Sequence, residues 1–141
     1  MKARVSWLGD KTFVGQNETG HSIVLGTATD TSLKPGPSSM ELVLIGAAGC
    51  SAWDVVNILE KGREAIEDCV VEMDADRADS PPKVFVRVHM HFVVRGRNLS
   101  PAKVERAVQL SVEKYCSASK MVEKTAVMTH DFEIVDTAEG S

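Results

Sequence analysis

The sequence has no C-x-x-C and no H-x-x-x-H spacing, so its cysteines and histidines lack the framework of a structural zinc site. It also lacks an excess of positive charge. Sixteen Lys and Arg stand against 20 Asp and Glu, for a formal net charge of −4 and a pI of about 5.5. A dedicated nucleic-acid binder would carry a basic stripe instead. No unbroken apolar run reaches the ~18 residues of a membrane span. Met1-Lys2-Ala3-Arg4-Val5 leads into alternating residues and not into a signal-peptide core. The expectation is a cytoplasmic protein without a membrane or nucleic-acid partner. Three cysteines, an odd number, do not make a disulfide scaffold in a reducing compartment. Internal repeats and low-complexity tracts are absent as well.

What is present is ordinary globular composition. The chain has 141 residues, 43% hydrophobic and 26% charged, enough for one domain over residues 1–141 with its own core. The Thr, Asp, Ser, Gly and Pro-rich stretch Thr27–Ser39 reads as a long connecting loop. Before it, residues 2–8 alternate in polarity, and 11–16 and 21–25 follow after turn signals, which predicts a meander of three short strands.

Met40–Lys61 reads MELVLIGAAGCSAWDVVNILEK. Ser38 or Ser39 can cap this helix, with Glu41 near the positive end of its dipole. Apolar residues surround nearly the whole helix, leaving Asp54, Asn57 and Lys61 as a polar stripe. A helix apolar all round is buried at the centre of something, and this one predicts packing against another subunit. Gly46 and Gly49 leave room for close backbone approach, and Gly62 closes the helix. Cys69–Asp76 predicts a strand, with Cys69, Val71, Met73 and Ala75 on one face. Pro81-Pro82 breaks the chain. Lys83–Arg95 is a long strand with Val84, Val86, Val88, Met90, Phe92 and Val94 on one face, an alternation expected of an antiparallel sheet with one face covered. Ser100-Pro101 starts a helix running to Tyr115 or Cys116. Residues 117–124 suit a short helix, Val127–Val135 a final strand, and Thr137–Ser141 a polar tail. The order βββ-α-ββ-α-(α)-β is an α+β fold.

Thiol chemistry needs a thiolate, hence surroundings that stabilise negative charge. Cys50 sits inside the central helix between Gly49 and Ser51, where small neighbours leave room for a substrate. Cys116 ends another apolar helix, followed by Ser117-Ala118-Ser119. Spacing alone does not say whether the two sulfurs meet, and cysteines on apolar helix stripes are usually buried small hydrophobes.

GAAGCSAWDVVNILEKG, followed much later by VEKYCSASKMVEK, resembles the OsmC/Ohr superfamily of thiol peroxidases, and within it the YhfA-like OsmC branch with its S-M-E, G-C-S and E-K-Y-C-S elements. The resemblance spans nearly the whole chain in order. It implies an OsmC-like α+β fold of curved antiparallel sheets and central helices, an intertwined homodimer, and active sites at the subunit interface. By the same resemblance Cys50 is the peroxidatic thiol that reduces an organic hydroperoxide, Cys116 closes a disulfide with it, and a dithiol reductant restores both. No cofactor and no metal is implied. The alternative is a non-enzymatic dimer of the same fold that binds a small ligand or responds to redox state.

Two positions depart from the family pattern, in which an Arg from the early strands and a Glu ten residues before the first Cys position the thiolate. Met40 stands ten before Cys50. Glu41, the candidate for the Glu role, stands nine before, about 180° around an unbroken helix. After Arg4 the early strands offer no Arg, only Asn17, Glu18 and His21, and His21 is the residue that could stand in. That departure predicts a thiolate less stabilised than in those branches. Cys69 reads as structural. His89 and His91 share a strand face without an acidic or Cys ligand nearby in sequence, so no metal is expected there. His130 reads as a hydrogen-bonded core or interface residue. Trp53 and Asp54 either line the pocket or pack, and Asp54 on the Cys50 side would raise the thiol pKa.

Overall fold

The computed structural model describes residues 1–27 and 34–138. The expected Thr27–Ser39 loop therefore falls outside the described residues at 28–33, and the expected tail does so at 139–141. The chain forms two compact units, Met1–Leu44 and Ile45–Ser141. One continuous helix crosses from the first to the second.

The first unit holds the predicted meander. Strands β1 (Ala3–Gly9), β2 (Thr12–Asn17) and β3 (Ser22–Gly26) pair antiparallel in that order, with Arg4 opposite Gln16 and Phe13 opposite Leu25. Gly9 and Asp10 turn β1 into β2 with φ of 111° and 46°, the left-handed region that a tight hairpin turn requires. At the next turn Asn17 Oδ1 accepts from the backbone N–H of Thr19 and of His21, at 3.2 and 2.9 Å. His21 is thereby built into the turn, with its Nδ1 2.9 Å from Thr19 Oγ1.

Helix α1 (Ser39–Lys61) begins with a capping box. The Glu41 N–H donates to Ser38 Oγ at 3.1 Å, and the Ser38 N–H donates back to Glu41 Oε1 at 3.0 Å. Lys34 pairs with the same carboxylate. At the far end Gly62 donates to Ile58 O, and Arg63, not Gly62, takes the left-handed conformation at φ 60°. Over an 18-residue window α1 has a mean hydropathy of 1.7, long and apolar enough to cross a membrane by length and composition. A count of unbroken apolar residues misses this because Gly, Ser and Asp interrupt the run. Only 28% of that window is buried within the chain. The buried stripe is Ala47, Ser51, Asp54, Val55 and Leu59. Asp54, predicted on the polar stripe, is thus buried. Among the described residues no backbone approaches Gly46 or Gly49 closely, since a Cβ at either would meet nothing within 4 Å.

The second unit is a three-stranded sheet in the order β4 (Ala65–Arg77), β5 (Phe85–Arg97), β6 (Val127–Asp136). β4 and β5 form the expected antiparallel hairpin around Pro81-Pro82. β6 runs parallel to β5, so the sheet is mixed and not purely antiparallel. A parallel neighbour needs a crossover, and the helical segment after Ser100 supplies it. Val88, Met90, Phe92 and Val94 are fully buried on the helix side. The predicted alternation breaks at the start of β5, where Phe85 is buried and Val86 exposed. An irregularity at Asp76/Arg77 shifts the register there. Helix α2 (Pro101–Leu110) starts as predicted, with Ser100 Oγ accepting from Lys103 N–H and Pro101 at the first position. It buries Val104, Ala107 and Val108.

The opposite sheet face carries charge. His89 Nδ1 lies 2.7 Å from Thr129 Oγ1 and its Nε2 3.0 Å from Asp131 Oδ1. His91 Nδ1 lies 2.7 Å from the same Asp131 oxygen and its Nε2 3.0 Å from Glu133 Oε1. Glu72 of β4 stands opposite His91 in register. No acidic neighbour is close in sequence; the parallel strand β6 brings them. Arg87 pairs with Asp74 and Asp76 beside this ladder.

Asp131 first, then Glu133, raises the His91 pKa above its usual value, and His91 first lowers that of Asp131. A raised imidazole contributes stability that is full below its unfolded pKa of about 6.5 and is lost as pH rises through the folded value. A depressed carboxyl contributes above about 3.9 and loses it as pH falls through the folded value. The pair therefore contributes most between roughly pH 4 and 6.5. An NMR titration is expected to place His91 above about 6.5 and Asp131→Asn to bring it down. An unmoved His91 in that variant would show the contact to be absent in solution.

Candidate functional site

Cys50 and Asp54 lie one helical turn apart on α1, on the same face by the i, i+4 rule. Cys116 reaches them from the crossover. The predicted single helix to Cys116 is not uniform: α2 ends at Leu110, and Ser111–Tyr115 is a π-helical turn. The Cys116 N–H donates to Ser111 O at 2.8 Å, five residues back. One residue is thereby squeezed into the turn, an arrangement often found at functional sites. Cys116 then turns to extended backbone, φ −74° and ψ 100°, and becomes the N-cap of α3 (Ser117–Val122).

The wide turn sets two side chains against α1. Ser111 is fully buried, and its Oγ donates to Asp54 Oδ2 at 3.0 Å, with Ser51 O at 3.4 Å. Cys116, also at 0% exposure, donates its S–H to Ala47 O at 3.7 Å and accepts from Ser119 N–H at 3.3 Å. Cys50 Sγ, Cys116 Sγ and an Asp54 carboxylate oxygen all lie within 4.8 Å of one another. Ser51 is fully buried beside them, and among the described residues its Oγ is the one buried side-chain polar atom without a hydrogen-bond partner.

The two thiols share one electrostatic problem. Burial raises both. At Cys116 the Ser119 hydroxyl and N–H, the Ser51 hydroxyl dipole and the Cys50 thiol together overcome burial, so its pKa is lowered. For Ser51 the influence is that of a nearby dipole, since its Oγ makes no hydrogen bond among the described residues. Cys50 is raised, first by burial and then by the charge on Cys116, although the backbone N–H groups of Ala118 and Ser117 offset part of this. Access and ease of ionisation are therefore divided: Cys50 is partly exposed, and the buried Cys116 is the thiol whose pKa is lowered. The third thiol differs. Burial, then the Asp68 charge, pushes Cys69 up to about 11.

Of the residues singled out in the sequence, the fold brings Cys50, Cys116 and Asp54 together. Glu41 stands in the capping box of α1, where Lys34, then the Ser38 N–H, lowers its pKa to about 2. Trp53 is 66% exposed. His130 lies on the helix side of β6 in register with Met90. Sequence reasoning missed Ser51, Ser111 and Ser119. Ser51 and Ser119 carry a readable signal, a small hydroxyl one and three residues from a candidate cysteine. Ser111 carries only its place on an otherwise apolar helix stripe.

This geometry sits in a chain whose family is clear. The family model for OsmC-like protein matches residues 29–131. Protein YhfA of Escherichia coli (strain K12) is 46% identical over 136 residues, covering 96% of this chain and 98% of its own. The chain belongs to the OsmC-like family. Among solved structures, a hypothetical protein from Aquifex aeolicus VF5 is 26% identical with a TM-score of 0.86, over 97% of each chain. The organic hydroperoxide resistance protein OhrB of Bacillus subtilis superposes with a TM-score of 0.64 at 15% identity, over 94% of this chain and 98% of its own. That last likeness is one of fold.

The coupling has a direct test. Replacing Cys116 by Ala removes the charge that raises Cys50, so the Cys50 pKa is expected to fall; replacing Cys50 by Ala removes a donor from Cys116, whose pKa is expected to rise. The rate of Cys50 alkylation against pH reports the first and thiolate absorbance against pH in the Cys50→Ala variant the second, with Cys69 nearly unlabelled at neutral pH because a thiol of pKa about 11 is almost wholly protonated there. A Cys50 rate profile identical with and without Cys116 would mean that the sulfurs do not interact.

Proposed function

We propose that this protein reduces organic hydroperoxides through Cys50 and Cys116. The observation that carries the proposal is the division of labour between the two sulfurs: an accessible thiol beside a buried one whose charge is stabilised. Cys50 passes its proton to the Cys116 thiolate and attacks the peroxide O–O bond. The S–O bond forms as the O–O bond breaks, and the departing alkoxide takes the proton back from Cys116. The products are an alcohol, a Cys50 sulfenic acid and a Cys116 thiolate. That thiolate then attacks the sulfenic sulfur and expels hydroxide, closing the disulfide. A dithiol, oxidised to its own disulfide, returns both thiols. The reducing cytoplasm is the fitting compartment. Glu41 enters as a positioning residue that fixes the first turn of the helix bearing Cys50. The likeness in fold to the organic hydroperoxide resistance protein OhrB of Bacillus subtilis supports this choice of substrate.

Thiol counting after one equivalent of an alkyl hydroperoxide is expected to show two thiols lost per chain, with mass spectrometry placing the link between Cys50 and Cys116. Cys50→Ser is expected to abolish peroxide consumption. Turnover surviving in that variant would refute the mechanism. Thiols unchanged by the peroxide would favour a non-enzymatic, ligand-binding or redox-responsive protein.

The same proposal includes a homodimer. Ile45, Gly46, Gly49 and Trp53 fall on one outward face of α1, with Ile45 57% and Trp53 66% exposed. Two glycines flanked by large apolar side chains suit close packing against a second copy. Sedimentation without detergent is expected to give a dimer, and Trp53→Glu to weaken it. A monomer at all concentrations would exclude the dimer.

A further inference from the structure

The site holds two sulfurs and a carboxylate with a geometry that disulfide chemistry does not need. Asp54 has no part in thiol–disulfide exchange, and a carboxylate beside two thiols opposes their ionisation. Yet it is buried, directed at the pair, and fixed there by Ser111. A second feature bears on the same cluster. The Ser51 hydroxyl is completely buried next to Cys116 and has no conventional partner. A buried hydroxyl without a partner is costly, and it gains one wherever the adjacent sulfur carries a full negative charge.

We propose that the reduced Cys50–Cys116–Asp54 cluster binds a thiophilic divalent cation such as zinc. Cys50 Sγ, Cys116 Sγ and one Asp54 oxygen are the three ligands, and the fourth position is left to water. The three atoms lie within 4.8 Å of one another. Metal–sulfur bonds of about 2.3 Å and metal–oxygen bonds of about 2.0–2.2 Å place tetrahedral ligands somewhat closer than that limit. Small side-chain rotations close such a gap. Two ligands come from one face of α1 and the third from the wide turn, so no backbone rearrangement is required. Ser111 donates to Asp54 Oδ2, the outer-shell contact that orients a ligating carboxylate. The Ser119 N–H and the Ser51 hydroxyl stabilise charge on the Cys116 sulfur. Two thiolates select a soft or borderline ion over magnesium or calcium.

Binding forms two metal–sulfur bonds; each thiol still protonated breaks its S–H bond and gives its proton to solvent, and nothing is oxidised or reduced. A sulfur held in the disulfide cannot ligate, so the metal-bound and disulfide forms exclude each other. Metal binding does not depend on hydroperoxide reduction being the protein's activity.

The test uses cobalt(II) as a spectroscopic stand-in, titrated into the fully reduced, metal-free full chain. One equivalent is expected to produce a sulfur-to-cobalt charge-transfer band with the visible bands of a tetrahedral ion, and zinc to remove them. The Cys50→Ser and Cys116→Ser variants are expected to lose the band. Ser111→Ala is expected to weaken binding by about 10–100-fold, as loss of an outer-shell partner does. Asp54→Asn is expected to weaken it at least as much, and Cys69→Ser to leave it unchanged. Circular dichroism of each variant confirms folding. The proposal is overturned if the wild-type chain gives no charge-transfer band, if the band survives in Cys50→Ser, or if the disulfide form binds equally well. Peroxide consumption is measured separately in chelator-treated protein, so failure of either activity is read independently of the other.

Discussion

The Cys116 N–H reaching back five residues to Ser111 O is the contact on which the rest of the site depends. Were α2 to continue with ordinary four-residue bonds, each residue beyond Leu110 would sit about 100° further round for each residue of slippage. Ser111 and Cys116 would not then both face α1. The wide turn holds them there at once. It also ends the helix, which frees Cys116 to adopt an extended conformation and cap α3. One backbone irregularity thus places a hydroxyl on Asp54, a sulfur beside Ala47 O, and the N–H groups of Ser117, Ala118 and Ser119 around two sulfurs.

That cage also answers the departure at Glu41. The sequence has no Arg at the expected early-strand place, and Glu41 is occupied with Ser38 and Lys34 at the start of α1. Charge on the thiol pair is instead countered by neutral donors: peptide N–H groups and serine hydroxyls. Such dipoles cost nothing in net charge, and in a buried setting each counts for more than it would in water. They act most strongly on Cys116, the sulfur they enclose. The accessible sulfur pays with a raised pKa, and the proposed reaction therefore calls for a neighbouring group to take its proton.

Much of this was legible in the chain. The meander, the apolar central helix, the Ser100-Pro101 start and the long β-hairpin follow from periodicity and turn chemistry, and the elements appear in the predicted order. What escaped had specific causes. The direction of β6 depends on where a crossover returns the chain, which alternation in Val127–Val135 does not encode. The π-turn leaves Val104, Ala107, Val108, Ser111 and Val112 in the pattern of one continuous helix, so nothing marks Ser111 as its start. Asp54 looked like part of a solvent stripe because its partner, Ser111, lies 57 residues away. The His89–Asp131–His91–Glu133 ladder was invisible for the same reason, as its carboxylates come from a strand some 40 residues on.

The central helix shows how one sequence feature serves two sides. Its inward stripe of Ala47, Ser51, Asp54, Val55 and Leu59 is small or polar exactly where the sulfurs need space and donors, and apolar beyond that. Its outward face of Ile45, Gly46, Gly49 and Trp53 is apolar and exposed among the described residues. Cys50 stands at the border between the two, half-exposed, one residue from Gly49 and one from Ser51. A second copy seated on the outward face would therefore close over the accessible sulfur from the side that the chain itself leaves open. On the proposed dimer, association and thiol reactivity would be one constraint: a surface that covered α1 would also decide what reaches Cys50.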